Sequence, residues 1–399
     1  MQDNQTRKLA FVSTHPIQYK VPIYRHLASR PGLAIEVVFE NGLGSTYPAD
    51  LGFGGAMKWD LPLTDGYPNL ILNELGPEKT RKGRYRISTA YRLYLFLKQH
   101  SFDAIHICGY SSLIDRLAII YAVCLGIPIL FHPEGNDSNR KRRPGFDFLR
   151  AFLLKNLYRR LYRYCSIGTK SLEHFFAHGG QAHQVIDTPY CVDNDFFRWQ
   201  EASLPSKNQL REKHGFRGSD FIFLFCAKLI DRKDPLTLIK AFIEVAKNRP
   251  TAHLVFVGDG PLRADMMEAI PIELKEKVRL EGFKNQTEIS AYYKLSDILI
   301  LPSKFEMWGL VVNEGMNFGL PAIVSEGVGC REGLIREGVS GYSFPIGDSP
   351  SLSKLMDSFI KNPSLTSAMS LSSRELIQNF SIVRTADAIR LEAEKIVRI

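Results

Sequence analysis

Short apolar runs rich in Val, Ile and Phe alternate with helix-length amphipathic segments along the whole 399-residue chain, and this alternation constrains the fold more than any other feature. Strands buried on both faces read as continuous apolar runs, and pairing them in parallel requires a helical crossover between each pair. The class is therefore α/β. In the first half the pattern predicts strands at Leu9–Thr14, Ile35–Glu40, Ala104–Cys108, Pro128–His132, Tyr164–Gly168 and Gln184–Thr188, with helices such as Pro22–Ser29 and Phe146–Tyr162 between them. In the second half it predicts strands at Phe221–Ala227, His253–Gly258, Val278–Gly282, Ile298–Pro302, Ala322–Ser325 and Gly341–Pro345. Each set reads as one Rossmann-type sheet, and the length suits two such domains. The join is expected in Pro189–Pro205, giving domains at 1–190 and 191–379. A last segment, 380–399, has helical apolar spacing and is expected to pack back on the first domain. Open α/β sheets bind ligands beyond the carboxyl ends of their strands, so two sheets facing a central cleft would hold a ligand between them.

Composition removes several classes. Hydrophobic residues make up 45% and charged residues 23%, as in a globular protein rather than a disordered one. The six cysteines are scattered without a CxxC pair or a His at zinc spacing, and read as buried reduced thiols. The N-terminus lacks a signal peptide's long apolar region, so a cytoplasmic protein is expected. The most apolar stretch, Leu117–Phe131, is interrupted by Gly126 and Pro128, which suits a helix followed by a strand rather than a membrane span. Residues 1–190 hold 24 Lys and Arg against 15 Asp and Glu, and the remainder holds 27 of each. The whole excess of +9 therefore lies in the first half, which points to an anionic partner there.

The chemistry concentrates in Ile298–Ser325, ILILPSKFEMWGLVVNEGMNFGLPAIVS. A strand ends at Ser303, a loop carries Glu306, and a helix starting near Gly309 carries Glu314. Both carboxylates sit at the strand's carboxyl edge, while the N–H groups of Leu310 and Val311 at the helix start suit a phosphate. Carboxylates for hydroxyls together with amides for phosphate describe a nucleotide sugar.

This segment resembles the retaining family 4 glycosyltransferases of GT-B fold, the glycosyl transferases group 1. Their pattern pairs two glutamates with seven residues between them, and Ser303, Glu306, Gly309, Leu310, Val311, Glu314, Met316, Gly319 and Pro321 match it. The resemblance implies that Glu306 holds donor sugar hydroxyls and Glu314 the ribose. A second match, CAKLIDRKDP from Cys226, is similar to the family's G-R-L-x-x-x-K-G. Lys228 then takes the usual Arg place, without the bidentate fork, and Lys233 is the phosphate lysine. Two cations there would neutralise a leaving diphosphate without a metal. The run VFVGDGPL places Gly258 in a tight turn and is too short a glycine pattern for a dinucleotide. After the Val278 strand the family reads the base with main-chain groups near Phe283 and Lys284.

In the first half the resemblance places a His or Arg near the anomeric carbon, here His132 at a strand end. Glu134 and Asp137 follow on the same loop as candidates for the acceptor hydroxyl. STHPIQYKVP, from Ser13, replaces the Gly-Gly turn of many relatives and puts His15 and Gln18 at the cleft floor. Asp193-Asn194-Asp195 mimics a metal-binding D-x-D, but its context matches a hinge segment of the family, so no metal and no cofactor beyond the nucleotide-sugar co-substrate is expected. Residues 139–163 hold nine Lys and Arg against Asp147, interleaved with aromatics, and suit an anionic membrane surface; no nucleic-acid reading motif accompanies them. The expected activity is transfer of a sugar from a UDP-sugar to a hydroxyl of a carbohydrate or lipid-linked acceptor, with retention. A sugar-nucleotide epimerase and a non-catalytic sugar-nucleotide-binding subunit remain alternatives.

Overall fold

The computed structural model describes residues 6–45, 49–50, 56–73, 83–133 and 144–396. Glu134, Asp137 and residues 139–143 of the basic segment lie outside them. The strands in chain order are β1 Arg7–Ser13, β2 Leu33–Asn41, β3 Ala49–Asp50, β4 Ala56–Met57, β5 Asn69–Asn73, β6 Ala104–Cys108, β7 Ile129–His132, β8 Arg163–Ser166 and β9 Val185–Asp187. They continue as β10 Phe221–Cys226, β11 Ala252–Val257, β12 Val278–Leu280, β13 Ile298–Leu301, β14 Ala322–Ser325 and β15 Gly341–Phe344.

Contacts divide the chain into two units: unit 1 holds Met1–Ala49, Met57–Tyr190 and Ile382–Ile399, and unit 2 holds Asp50–Ala56 and Cys191–Ser381. The sheet of unit 1 has the order β5-β2-β1-β6-β7-β8-β9. Its ladders are parallel, with Leu9 opposite Ile35 on one side and Ala104 on the other. All five residues of β6 are buried, which explains the continuous apolar reading of its sequence. Sequence reasoning did not find β5. It is an edge strand whose Leu70 is exposed and which follows Pro68, so it lacks the dense apolar run of its neighbours.

One side of this sheet packs Phe96, Leu97, Ile114, Ala118, Leu154 and Tyr158 from three helices. The other carries the helix Val21–Ala28 and the returning helix Ile382–Glu394. That last helix buries Ala386, Ile389 and Ala393 beside Val21, Tyr24 and Leu27. Arg163 Nε donates to Glu392 Oε2 at 2.6 Å, and Thr385 Oγ1 to the Pro189 carbonyl at 2.9 Å, so polar links fix its register.

Unit 2 has the parallel sheet order β12-β11-β10-β13-β14-β15. Chain order reverses between β10 and β13: β11 and β12 extend to one side, β13 to β15 to the other. Phe223, Phe225, Leu238, Phe242, Phe256 and Ile300 are central to its core.

Five cysteines are buried, but Cys124 is exposed on the outer side of the helix Leu113–Leu125, a correction to the reading of all six as buried. Among the described residues no helix is long and apolar enough to cross a membrane, and no group of three or more His, Cys, Asp or Glu could hold a metal. Asp193 instead caps the helix Asn194–Ser203 by accepting from Phe196 N at 3.0 Å, and Asp195 pairs with Arg198.

Candidate active site

The reversal of strand order leaves room at the carboxyl ends of β10 and β13, and the loops leaving these strands carry the candidate residues. After β10 the chain makes a tight turn through Asp231–Lys233, closed by Lys233 N–H donating to Ile230 O at 2.9 Å. Asp234 adopts φ +50°, and its carboxylate accepts from Thr237 Oγ1 at 2.8 Å. A non-glycine residue is held in this left-handed conformation by that bond and by burial. The turn thereby aims Lys233 across the gap toward β13, where its ammonium forms an ion pair with Glu306. Their side chains are only 13% and 15% exposed. Lys228 is half-buried on the same loop, two residues beyond β10.

The Glu306 loop is locked by its backbone. Glu306 N–H donates to Gly327 O at 3.0 Å, Gly329 N–H to Glu306 O at 3.0 Å, and Lys304 N–H to Arg232 O at 2.9 Å, which joins the Lys233 turn to the same frame. The loop approaches so closely that a Cβ on Gly329 would lie 2.0 Å from Met307 O. Beyond the loop Trp308 Nε1 donates to Asn313 Oδ1 at 2.8 Å and sets the start of the helix Leu310–Asn317. As the first two N–H groups of that helix, those of Leu310 and Val311 have no acceptor within it.

Glu314 sits on the inner side of this helix. Its Oε2 accepts from the Tyr293 hydroxyl at 2.5 Å, and its carboxyl is also bonded to the Gln286 side chain. Burial outweighs both bonds and pushes its pKa up to about 7. At the end of β10 burial pushes the Cys226 thiol up, the field of Glu314 adds to this and that of Lys233 opposes it, so both candidate groups act on one strand end. At the carboxyl end of β11, Gly258 adopts φ +140°, and a Cβ there would lie 1.9 Å from Ala227 O. Phe283 follows β12 at the sheet edge and is half-buried. Lys228, Lys233, Gly258, Phe283, Glu306 and Glu314 are therefore all on the carboxyl side of one sheet. Sequence reasoning did not identify Tyr293 and Gln286; a buried-looking Tyr in a helix carries no signal of its partner.

In unit 1, His15 lies in the loop after β1, where Thr14 Oγ1 and His15 Nδ1 are 2.9 Å apart, and Gln18 follows in the same loop. His132 ends β7, two strands away. Its ring is buried against Tyr190, 5.3 Å between centroids, and against His106 of β6 at 5.5 Å. Burial first, then the fields of His106 and the nearby Lys20, hold His132 well below the usual histidine range, so it is a neutral imidazole. His106 is held at about 3 by burial and Lys20. His106, Lys20 and Tyr190 were not anticipated; inside the fully buried run of β6 nothing local marks His106 as the neighbour of His132.

Comparisons with known proteins bear on the family and the fold. Residues 206–376 match the family model described as glycosyl transferases group 1. A Bacillus subtilis protein named putative glycosyltransferase EpsD is 30% identical over 190 residues, 48% of this chain and 49% of that protein, so the chain spans about half of that relative's length. An Escherichia coli UDP-Gal:alpha-D-GlcNAc-diphosphoundecaprenol alpha-1,3-galactosyltransferase is 27% identical over 315 residues, 75% of this chain and 76% of that one. Among solved structures, Anabaena HepE in complex with UDP and glucose superposes with a TM-score of 0.70 at 17% identity, over 98% of this chain and 100% of that one. The match through residues 206–376 identifies that segment with the glycosyl transferases group 1, and the two Rossmann-like units have the GT-B fold.

Proposed function

We propose that this protein is a glycosyltransferase that moves a sugar from a UDP-sugar to a hydroxyl of a carbohydrate or lipid-linked acceptor, with retention and without a metal, in the synthesis of a bacterial cell-surface polysaccharide or glycolipid. The observation that carries the reading is the Lys233–Glu306 ion pair across the strand reversal, beside the buried Glu314. An ammonium and a carboxylate held together in a half-buried site are matched to a ligand that brings both negative phosphate and neutral hydroxyls.

In this mechanism the diphosphate takes over Lys233, with Lys228 and the N–H groups of Leu310 and Val311 as further donors. Glu306, released from its ion pair, accepts from sugar hydroxyls, and Glu314 accepts from the ribose. Cationic groups fixed before the reaction stabilise charge as it develops on the leaving diphosphate, and this supplies the main electrostatic contribution. The acceptor approaches the front face of the sugar and loses its proton to the departing diphosphate, so no protein nucleophile is used. His132, neutral and buried, contributes a hydrogen bond and shape rather than charge. Unit 1 would hold the acceptor, with His15, Gln18, Glu134 and Asp137 as its candidate groups. The named activity of the Escherichia coli relative on a diphosphoundecaprenol-linked sugar supports a lipid-linked acceptor and a cytoplasmic membrane face for this chain as well.

The test is a calorimetric screen of nucleotide sugars against the protein and its Glu314→Ala variant, followed by product analysis with donor alone. The reading expects one UDP-sugar to bind, the variant to lose it, and slow hydrolysis rather than epimerisation without acceptor. No binding by any nucleotide sugar would sink it.

A further inference from the structure

The helix Pro144–Arg160 has two apolar sides. Leu154 and Tyr158 are buried and, with Leu161 beyond the helix end, form the inward stripe in the cluster of Phe131, Tyr164 and Phe175. This stripe satisfies the need of a crossover helix to cover its sheet. Away from it, Phe148 is 79% exposed, Leu149 52%, Phe152 57% and Leu153 58%. Phe176, on the neighbouring helix Thr169–Ala177, adds a further 46% exposed ring, and a shallow groove runs between Phe152, Phe176 and Lys155. Five large apolar side chains grouped this way exceed the scattered apolar residues of an ordinary surface.

Charge is ordered along the same helix. On one exposed stripe Phe148 and Phe152 are followed by Lys155 and Arg159; on the next, Leu149 and Leu153 are followed by Arg160. Lys155, Arg159 and Arg160 are exposed. The apolar half thus comes first and the cationic half last. In sequence, Arg140, Lys141, Arg142 and Arg143 immediately precede the helix, so the apolar residues are bracketed by positive charge.

We propose that this face of unit 1 docks on an anionic lipid bilayer, with Phe148, Leu149, Phe152 and Leu153 entering the hydrocarbon boundary and Lys155, Arg159 and Arg160 remaining among the headgroups. A bilayer offers both complements at the required spacing, since an apolar layer lies directly beneath a sheet of negative charge. The inference sharpens the membrane-side location in the proposed function to a defined surface, and it uses none of the candidate active-site residues.

The test is co-sedimentation of the full chain, without donor or acceptor, with vesicles of phosphatidylcholine alone or mixed with phosphatidylglycerol. Binding to the mixed vesicles is expected, weakened by salt. Phe148→Ser combined with Phe152→Ser lowers partitioning about tenfold or more. Lys155→Glu combined with Arg159→Glu and Arg160→Glu removes the preference for phosphatidylglycerol. Melting temperatures of both variants within a few degrees of the parent show that the fold survives, as expected of exposed sites. Absence of binding to anionic vesicles, or equal binding by the parent and both variants, overturns the proposal. So does a dimer in analytical ultracentrifugation that the double Phe variant dissociates, because a second copy would then be the occupant. Sugar transfer to a soluble acceptor is read separately, so loss of vesicle binding leaves the enzymatic reading standing.

Discussion

The Tyr293 hydroxyl donates a 2.5 Å hydrogen bond to Glu314 Oε2, and both side chains are buried within unit 2. The pair joins the helix Gln286–Leu295 to the helix Leu310–Asn317, so the carboxylate is aimed by an element other than its own. Tyr293→Phe keeps the ring and removes the donor. Glu314 then keeps only its bond to Gln286, and a buried carboxyl that loses a hydrogen bond is destabilised by about 1–3 kcal/mol. The UDP-sugar dissociation constant should therefore rise about tenfold or more at neutral pH, measured by calorimetry, and the melting temperature should fall by a few degrees, about 2–4 °C per kcal/mol.

The raised pKa of Glu314, about 7, gives donor binding a pH dependence of definite sign. Only the carboxylate accepts two ribose hydroxyls, so affinity should strengthen as pH rises from 6 to 8. Stability runs the other way. Between the ordinary carboxyl value and about 7 the folded state holds a proton that the unfolded state has lost, so stability falls as pH rises through that window. Thermal-shift titrations at several pH values should show the donor-induced shift growing while the free protein's melting temperature declines. Glu314→Gln should flatten both trends.

The Lys233–Glu306 ion pair predicts strong coupling between its members. Lys233→Ala and Glu306→Gln should each lower kcat by roughly 100-fold, as loss of a preorganised transition-state contact does. The double variant should lose far less than the product of the two, because the second removal acts on a site already dismantled. Additive losses in kcat would show that the two residues work independently.

His106 and His132 are both neutral inside unit 1, the first at about 3 and the second well below the ordinary value. Below an unfolded-state pKa of about 6.5 the unfolded chain takes up two protons that the native state refuses. Stability that is present above that value is lost as pH falls, by up to about 2.7 kcal/mol per pH unit for the pair. Replacing His106 with Gln should roughly halve this contribution to the acid slope of the melting temperature. The pH–rate profile should carry no limb from His132 near 6.5.

Gly258 offers a steric prediction. A methyl group there would meet Ala227 O at 1.9 Å, in a backbone conformation that only glycine adopts readily. Gly258→Ala should destabilise by roughly 3 kcal/mol or more, read as a lowered denaturation midpoint, with loss of donor binding because the β10 and β11 loops must separate.

The strands most legible in the sequence were those buried on both faces, such as β6, β10 and β13, because burial on both sides removes polar residues and leaves an unbroken apolar run. β5 escaped because an edge strand needs no such run. On the candidate site, Glu306 and Glu314 could be singled out by their place on the loop and helix that follow one strand, and Lys228 and Lys233 by the resemblance of their segment to the family's pattern. Their partners could not. That Lys233 meets Glu306, that Tyr293 holds Glu314, and that His106 stands beside His132 are facts of strand order and helix packing, which no local pattern encodes. For Pro144–Arg160 the sequence showed a basic, aromatic segment suited to an anionic surface but not which apolar residues face outward, because the inward and outward stripes are both apolar.

The return of the helix Ile382–Glu394 to unit 1 has a consequence for the order in which the molecule is made. The side chains of Val21, Tyr24 and Leu27 are covered in part by Ala386, Ile389 and Ala393, which leave the ribosome after all of unit 2. Synthesis at about 5–20 residues per second leaves those early side chains waiting tens of seconds for their cover. The main span of unit 2, Cys191–Ser381, can close as it emerges, since the only other piece of that unit, Asp50–Ala56, is already made, so the half of the molecule that is translated first is the half that finishes folding last.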